Sequence, residues 1–342
     1  MEGECIVRWM KKFTHVFKTK PVVELPVLHF RGKKKGPLGI ISGGMHGDES
    51  NGMILVKKFV EEFEKKNLEE QMCGELLVLP LLNVTGFEKN QRRAGPDGLD
   101  INRCFPGKKT GSFSEQFAKE LFEDFFSKAD FGIDCHDAGT LSALLPHTRV
   151  GACEDEDGKC LTENLGRLFG TEIIVERKGK KGMMALAAFD KFKIPVVTVE
   201  IGGAGHDFNN DFVKQGLGGI MNILYHYGVL EGKPDIPKKQ YILKKRIGVK
   251  APRTGIVEFS ANLSDYVHAG DQIGTIYYPQ EFVEEPLISP MCGLLFSLHD
   301  HRIVKQGTLV YSILEKEKCC VDRTTLDKFE ELGKLDFEEM HM

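Results

Sequence analysis

Leu38-Gly-Ile-Ile-Ser42 is a short apolar run, and it leads into Gly43-Gly-Met-His46-Gly-Asp-Glu49-Ser-Asn-Gly52. From Asn51 to Lys66 the apolar residues Met53, Ile54, Val56, Phe59, Val60 and Phe63 recur at helical spacing. A strand therefore passes through a glycine turn into a helix. The same alternation extends outward. Glu75–Leu82, Phe131–Cys135, Glu172–Val175 and Pro195–Ile201 read as strands, and Ser114–Lys128 and Asp211–Tyr227 as helices. Strands that are apolar throughout, separated by helices, imply an α/β fold: a mixed, largely parallel sheet with helices on both faces. In such sheets the ligand site lies beyond the carboxyl ends of the strands.

The residues at those ends carry chemistry. His46 and Glu49 stand three apart in a tight glycine turn, and imidazole and carboxylate are both good zinc ligands. His136 follows the apolar run Phe131-Gly-Ile-Asp-Cys135 and completes a His–Glu–His set, with Asp134 available to orient a ligand. A catalytic zinc keeps its fourth position for water. A lone histidine at a strand end is more often a satisfied core residue, and only the company of the first two makes His136 a ligand. Glu200 ends the very apolar Val196-Val-Thr-Val, where burial should raise its pKa toward that of a useful base. A buried structural ion pair is the competing reading of that carboxylate. Between these segments lies a polar loop with three arginines, Gln91-Arg92-Arg93-Ala-Gly-Pro-Asp97-Gly-Leu-Asp100-Ile-Asn102-Arg103-Cys-Phe105-Pro-Gly107. Arginine there can grip a carboxylate or steady an oxyanion.

After Leu230 the pattern changes. Glu231–Arg253 holds eight Lys or Arg and two acids, and with Tyr241 alone for base stacking it reads as a solvated linker and strand start rather than a nucleic-acid patch. An internal repeat follows: Gly255-Ile-Val…Val267-His-Ala-Gly270-Asp-Gln-Ile parallels Gly293-Leu-Leu…Val304-Lys-Gln-Gly307-Thr-Leu-Val. Short strands with matched turn glycines imply a small all-β barrel or sandwich with pseudo-two-fold symmetry. The expected organisation is an N-terminal segment (1–36), a catalytic domain (37–240), a β-domain (241–318) and a charged tail (319–342), with Glu315–Met342 read as a surface helix with a loose end.

Composition excludes several classes. The chain has 342 residues, with 46 Lys+Arg against 50 Asp+Glu, which gives no reason to expect nucleic acid as a partner. No apolar run approaches the roughly 20 residues of a membrane helix. The acidic N-terminus lacks a signal-peptide pattern. Nine irregularly spaced cysteines without a C-x-x-C fit reduced thiols in a cytoplasmic protein.

Taken together, His46-Gly-Asp-Glu49, Asp100-Ile-Asn-Arg103-Cys-Phe-Pro-Gly107, Asp134-Cys-His136 and Val199-Glu200-Ile-Gly202 resemble, in order, the motifs of the succinylglutamate desuccinylase/aspartoacylase family, which shares the zinc carboxypeptidase fold. The resemblance spans most of residues 38–203. It implies one zinc per chain held by His46, Glu49 and His136, with Glu200 as the catalytic carboxylate. It also implies that Asn102 and Arg103 hold a substrate carboxylate and that an upstream arginine faces the scissile carbonyl. Arg93 matches that arginine by spacing, with the adjacent Arg92 as the alternative. The repeat region resembles biotinyl/lipoyl carrier domains. The turn Pro279-Gln-Glu-Phe-Val-Glu-Glu285, where a carrier would present its lysine, has none, so the domain reads as a lid or assembly element. The expected activity is zinc-dependent removal of an acyl group from a small N-acyl amino acid. A metallocarboxypeptidase or an ester hydrolase would use the same residues, and a non-catalytic binding or carrier protein is the reading from another class. The acyl group, the amino acid and the presence of a homo-oligomer are left open.

Overall fold

Ile40 and Ile41 are adjacent on one strand and both fully buried, Ile40 against one layer of helices and Ile41 against the other. That is the signature of a sheet covered on both faces. The computed structural model describes residues 10–93, 95–151, 156–177, 179–203, 209–315 and 335–338. In chain order the first part contains β1 (Met10–Phe17), β2 (Val23–Arg31), β3 (Lys34–Gly43), α1 (Ser50–Lys65), β4 (Cys73–Leu79), α2 (Val84–Glu88), α3 (Phe113–Asp124), β5 (Phe131–His136), β6 (Ser142–Leu144), β7 (His147–Gly151), α4 (Glu156–Phe169), β8 (Ile173–Arg177), α5 (Met184–Phe192), β9 (Val196–Glu200), α6 (Asn210–His226) and β10 (Tyr241–Leu243). Nine strands form one mixed sheet in the order β1-β2-β4-β3-β5-β9-β7-β8-β10. The run β4-β3-β5-β9 is parallel, and so is β7-β8-β10, but β7 is antiparallel to β9.

The helices cover this sheet as amphipathic faces require. Helices α1, α4 and α6 bury Leu55, Phe59, Leu165, Phe169, Ile220 and Leu224 on one side. On the other side α3 and α5 bury Phe117, Leu121, Phe122 and Ala188. A capping box of Ser112 and Glu115 starts α3, and the Asn209 side chain accepts the first free amides of α6. No helix among the described residues is long and apolar enough to cross a membrane.

The structure departs from the sequence reading in three places. The N-terminal segment, in which no strand is read from the sequence, supplies β1 and β2, which extend the main sheet through pairing with β4. The surface-helix expectation for the tail fails at Leu335–Glu338, a strand paired with β11 (Arg246–Lys250), and the rest of the tail lies outside the described residues. Cys73, Cys104 and Cys135 are free, as expected, but Cys292 is disulfide-bonded. Irregular spacing along a chain does not say which thiols the fold brings together.

The repeat forms a two-sheet β unit: β12 (Gly255–Phe259), β13 (Tyr266–Val267), β14 (Gln272–Tyr278), β15 (Val283–Ile288), β16 (Gly293–His299), β17 (Ile303–Val304), β18 (Leu309–Leu314) and β19 (Leu335–Glu338). One half-repeat gives β12-β13-β14 and the other β16-β17-β18. Each half lends its short strand to the other, since β13 pairs with β16 and β17 with β12. The matched glycines Gly270 and Gly307 have φ of 94° and 77°, the left-handed conformation that glycine adopts without strain. The two parts of the chain are joined by backbone pairing: β6 docks along β16.

Helix α1 starts very close to the end of β5. A Cβ on Gly52 would lie 2.6 Å from the Cys135 carbonyl oxygen. Gly52→Ala is therefore expected to destabilise the protein by about 1–3 kcal/mol through forced backbone displacement. Denaturant unfolding of the variant checks this.

Candidate active site

Strands β3, β5 and β9 end at one level. Gly43 is paired with Cys135, and His136 with Glu200. Side chains leaving those ends meet in a cavity of about 180 Å³. His46 comes from the turn after β3, Glu49 from the residue before α1, and His136 from the last position of β5. All three are at most 3% exposed. Glu49 lies between the two imidazoles, with Oε1 2.6 Å from His46 Nδ1 and Oε2 2.6 Å from His136 Nδ1. One ligand atom from each residue falls within 4.8 Å of the others.

The outer ring nitrogens are held as well. His136 Nε2 is 2.8 Å from Asp134 Oδ2, and Ser42 Oγ donates to the other Asp134 oxygen at 2.8 Å. His46 Nε2 is 3.2 Å from Asp100 Oδ1. A carboxylate on Nε2 fixes the tautomer that leaves Nδ1 for a metal. Two imidazoles and a carboxylate, each buried and oriented from behind, fit zinc. Burial would push the His136 pKa down, but Asp134 and Glu49 hold it well above the usual histidine value. His46 is raised in the same way, with Glu49 and Asp100 outweighing burial. Burial would likewise raise Glu49, yet the two imidazoles hold it below the usual carboxylate range.

Glu200 faces the same cavity and is 4% exposed. Its Oε1 is 3.1 Å from Arg149 Nη2. Its Oε2 is buried and has no hydrogen-bond partner among the described residues.

The arginine loop divides its side chains. Arg92 lines the cavity and spans two acids, with Nη1 3.1 Å from Glu49 Oε1 and Nη2 3.2 Å from Asp100 Oδ2. Arg93, the better match by spacing, is exposed and turned toward the Gly98 carbonyl oxygen at 3.4 Å, away from the cavity. Neighbouring residues of an irregular loop point in different directions, and spacing alone does not separate them. Asn102 and Arg103 both line the cavity. The Asn102 Oδ1 accepts the Met184 backbone amide at 2.8 Å and so caps α5, which leaves its amide NH₂ for a ligand.

Further lining residues lie outside the motifs. Asp137 accepts the Asn51 and Gly52 amides at 2.5 and 3.2 Å and the Gly139 amide at 2.6 Å, which ties the start of α1 to the end of β5. Burial, with Glu49 nearby, pushes its pKa up to about 7. Arg149 comes from β7, and Arg246 and Ser297 come from the β unit. The run His147-Thr-Arg149-Val-Gly151 has too little apolar alternation to signal a strand. Arg246 is one of eight cations in a stretch that reads as solvated. Neither carried a sequence signal.

Residues 35–227 match the family described as Succinylglutamate desuccinylase/Aspartoacylase catalytic domain. An N-alpha-acetyl-L-2,4-diaminobutyric acid deacetylase from Halomonas elongata is 26% identical over 249 residues, 71% of this chain and 71% of that protein. Among solved structures, a succinylglutamate desuccinylase/aspartoacylase from Rhodobacter sphaeroides superposes with a TM-score of 0.77 at 25% identity, over 93% of this chain and 99% of that one. The product-bound ectoine utilization protein EutE (DoeB) from Ruegeria pomeroyi gives 0.78 at 22% identity, over 90% and 95%, a likeness of fold.

Asp137→Ala would leave the first amides of α1 without their acceptor. The expected cost is about 0.5–2 kcal/mol of stability, the usual loss for a helix cap. Thermal and denaturant unfolding of the variant measure it.

Proposed function

This chain belongs to the succinylglutamate desuccinylase/aspartoacylase family, and from that footing we propose that it is a zinc-dependent hydrolase that removes the acyl group from a small N-acyl amino acid. One observation carries the reading: a buried His46–Glu49–His136 set shares a cavity with a carboxylate, Glu200, that has one oxygen uncommitted among the described residues. The deacetylase name of the Halomonas elongata relative supports the reaction class.

In this reading His46, Glu49 and His136 hold the metal. A zinc ion bound there would supply positive charge and lower the pKa of a bound water toward about 7. Glu200 Oε2 takes a proton as the water attacks the carbonyl carbon. It then returns that proton to the amine nitrogen as the C–N bond breaks, because an unprotonated amine leaves poorly. Asn102 and Arg103 hold the carboxylate of the amino-acid half, the guanidinium as a fork that lysine would not reproduce. Arg92, rather than Arg93, stands where negative charge develops on the carbonyl oxygen. Arg246 and Ser297 close the cavity from the β unit, which favours a small acyl compound over a peptide running through the site.

The test is a screen of the zinc-loaded protein against N-acetyl, N-succinyl and N-formyl amino acids and short peptides. Turnover is expected on one of the acyl amino acids, and His136→Ala should lose zinc. Glu200→Gln should keep the metal and lose about 100- to 10,000-fold in kcat. A Glu200→Gln protein with near-normal kcat would make Glu200 a structural residue.

A second expectation separates the paired arginines. Arg92→Ala should lower kcat by about 100- to 1,000-fold, the common cost of one oxyanion donor. Arg93→Ala should behave as wild type. The reverse pattern in steady-state kinetics would restore Arg93.

A further inference from the structure

The reversal of strand direction between β9 and β7 has a chemical consequence at Glu200. Because these strands are antiparallel, the start of β7 lies beside the end of β9. His147 is directly opposite Glu200, and Arg149 is opposite Thr198. Opposed residues of an antiparallel pair share a face, and alternate residues of one strand do too. Arg149, Thr198 and Glu200 accordingly line the same cavity. Arg149 is the diagonal neighbour of Glu200, close enough for Nη2 to reach Oε1 at 3.1 Å.

Arg149 is itself held. Its Nε donates toward His147 Nε2 at 3.4 Å, and His147 Nδ1 donates to the Leu145 carbonyl oxygen at 2.9 Å. His147 is buried, and burial together with the charge of Arg149 lowers its pKa well below the usual value. The ring is therefore neutral, a donor at Nδ1 and an acceptor at Nε2, the tautomer that this chain of bonds needs. The ring meets Phe296 of β16 in a tilted contact, 4.9 Å between centroids and 58° between planes, and the Phe296 carbonyl oxygen accepts the Leu145 amide at 3.1 Å. A fixed line of contacts thus runs from the β unit through Leu145, His147 and Arg149 to a single oxygen of Glu200.

We infer that Arg149 is a positioning residue for Glu200: it holds Oε1 and so aims Oε2 into the cavity, where the reacting water must sit. The inference rests on Glu200 being the proton-transferring carboxylate. A plain structural ion pair between these residues would stabilise the fold and leave catalysis untouched. A substrate-binding arginine would act on KM.

The experiment compares Arg149→Met and Arg149→Lys, alone and combined with Glu200→Gln, in the full-length protein. Arg149→Met is expected to lower kcat by about 100-fold, as misplacement of a catalytic group commonly does, with KM unchanged. Arg149→Lys, or guanidinium ion added to Arg149→Met, should recover part of the loss. In the Glu200→Gln background the Arg149 substitution should cost nothing more. A rise in KM at constant kcat, or an equal further loss in the Glu200→Gln background, overturns the inference. If Glu200→Gln alone keeps its kcat, the proposed mechanism fails first. A crystal structure of the metal-free Arg149→Met protein decides the geometry without any substrate. Glu200 should lose its single orientation, and a carboxylate unchanged from wild type would overturn the positioning role.

Discussion

One buried carboxylate, Glu49, lies between two buried imidazoles, and the surrounding architecture serves that arrangement. Removing charges from water is costly unless each is paired and hydrogen-bonded. The pairing here is continuous. Glu49 bonds both histidines at Nδ1, Asp134 and Asp100 take the two Nε2 atoms, Ser42 takes Asp134, and Arg92 bridges Glu49 and Asp100. Apart from the neutral Ser42 hydroxyl, acid alternates with base along this network. The same alternation keeps both Nδ1 atoms turned inward, which suits a divalent cation that would take the place of the protons there.

That arrangement requires three chain segments to end at one point. Parallel pairing of β3, β5 and β9 brings their carboxyl ends level, and Asp137 ties α1 to the end of β5 through helix amides that would otherwise lack partners. Gly52 permits the close approach that this tie demands. The polar loop then folds across the opening. Its Asn102 caps α5, so the residue that faces the cavity also secures the loop to the sheet.

The β unit is a wall of the cavity as well as a neighbour. Strand β6 lies only six residues beyond His136 and pairs with β16, so the segment after a metal-ligand candidate is continuous with the second sheet. Arg246 is held by the hydroxyls of Ser312 and Ser297 at 3.0 and 3.3 Å and stacks near Phe296. The β unit thus contributes side chains, Arg246 and Ser297, to the lining of the cavity.

The sequence by itself determined the alternation of strands and helices, the three candidate ligands, Glu200 and the matched half-repeats. Those features are local. Apolar runs, glycine turns and strand-end polar residues express themselves within a few positions of the chain. The strands β1 and β2, the direction of β7, and which of Arg92 and Arg93 lines the cavity were decided by tertiary structure alone. The run around Arg149 carries no periodic signal, and its meaning depends on which strand it lies against and in which direction. Arg246 sits among seven other cations of the same stretch, and only the packing of β11 against β18 sets it apart. Side-chain direction in a loop, and adjacency across a sheet, depend on contacts between residues 50 to 100 positions apart, as between Arg149 and Glu200 or His46 and Asp100. Local spacing holds no record of such contacts.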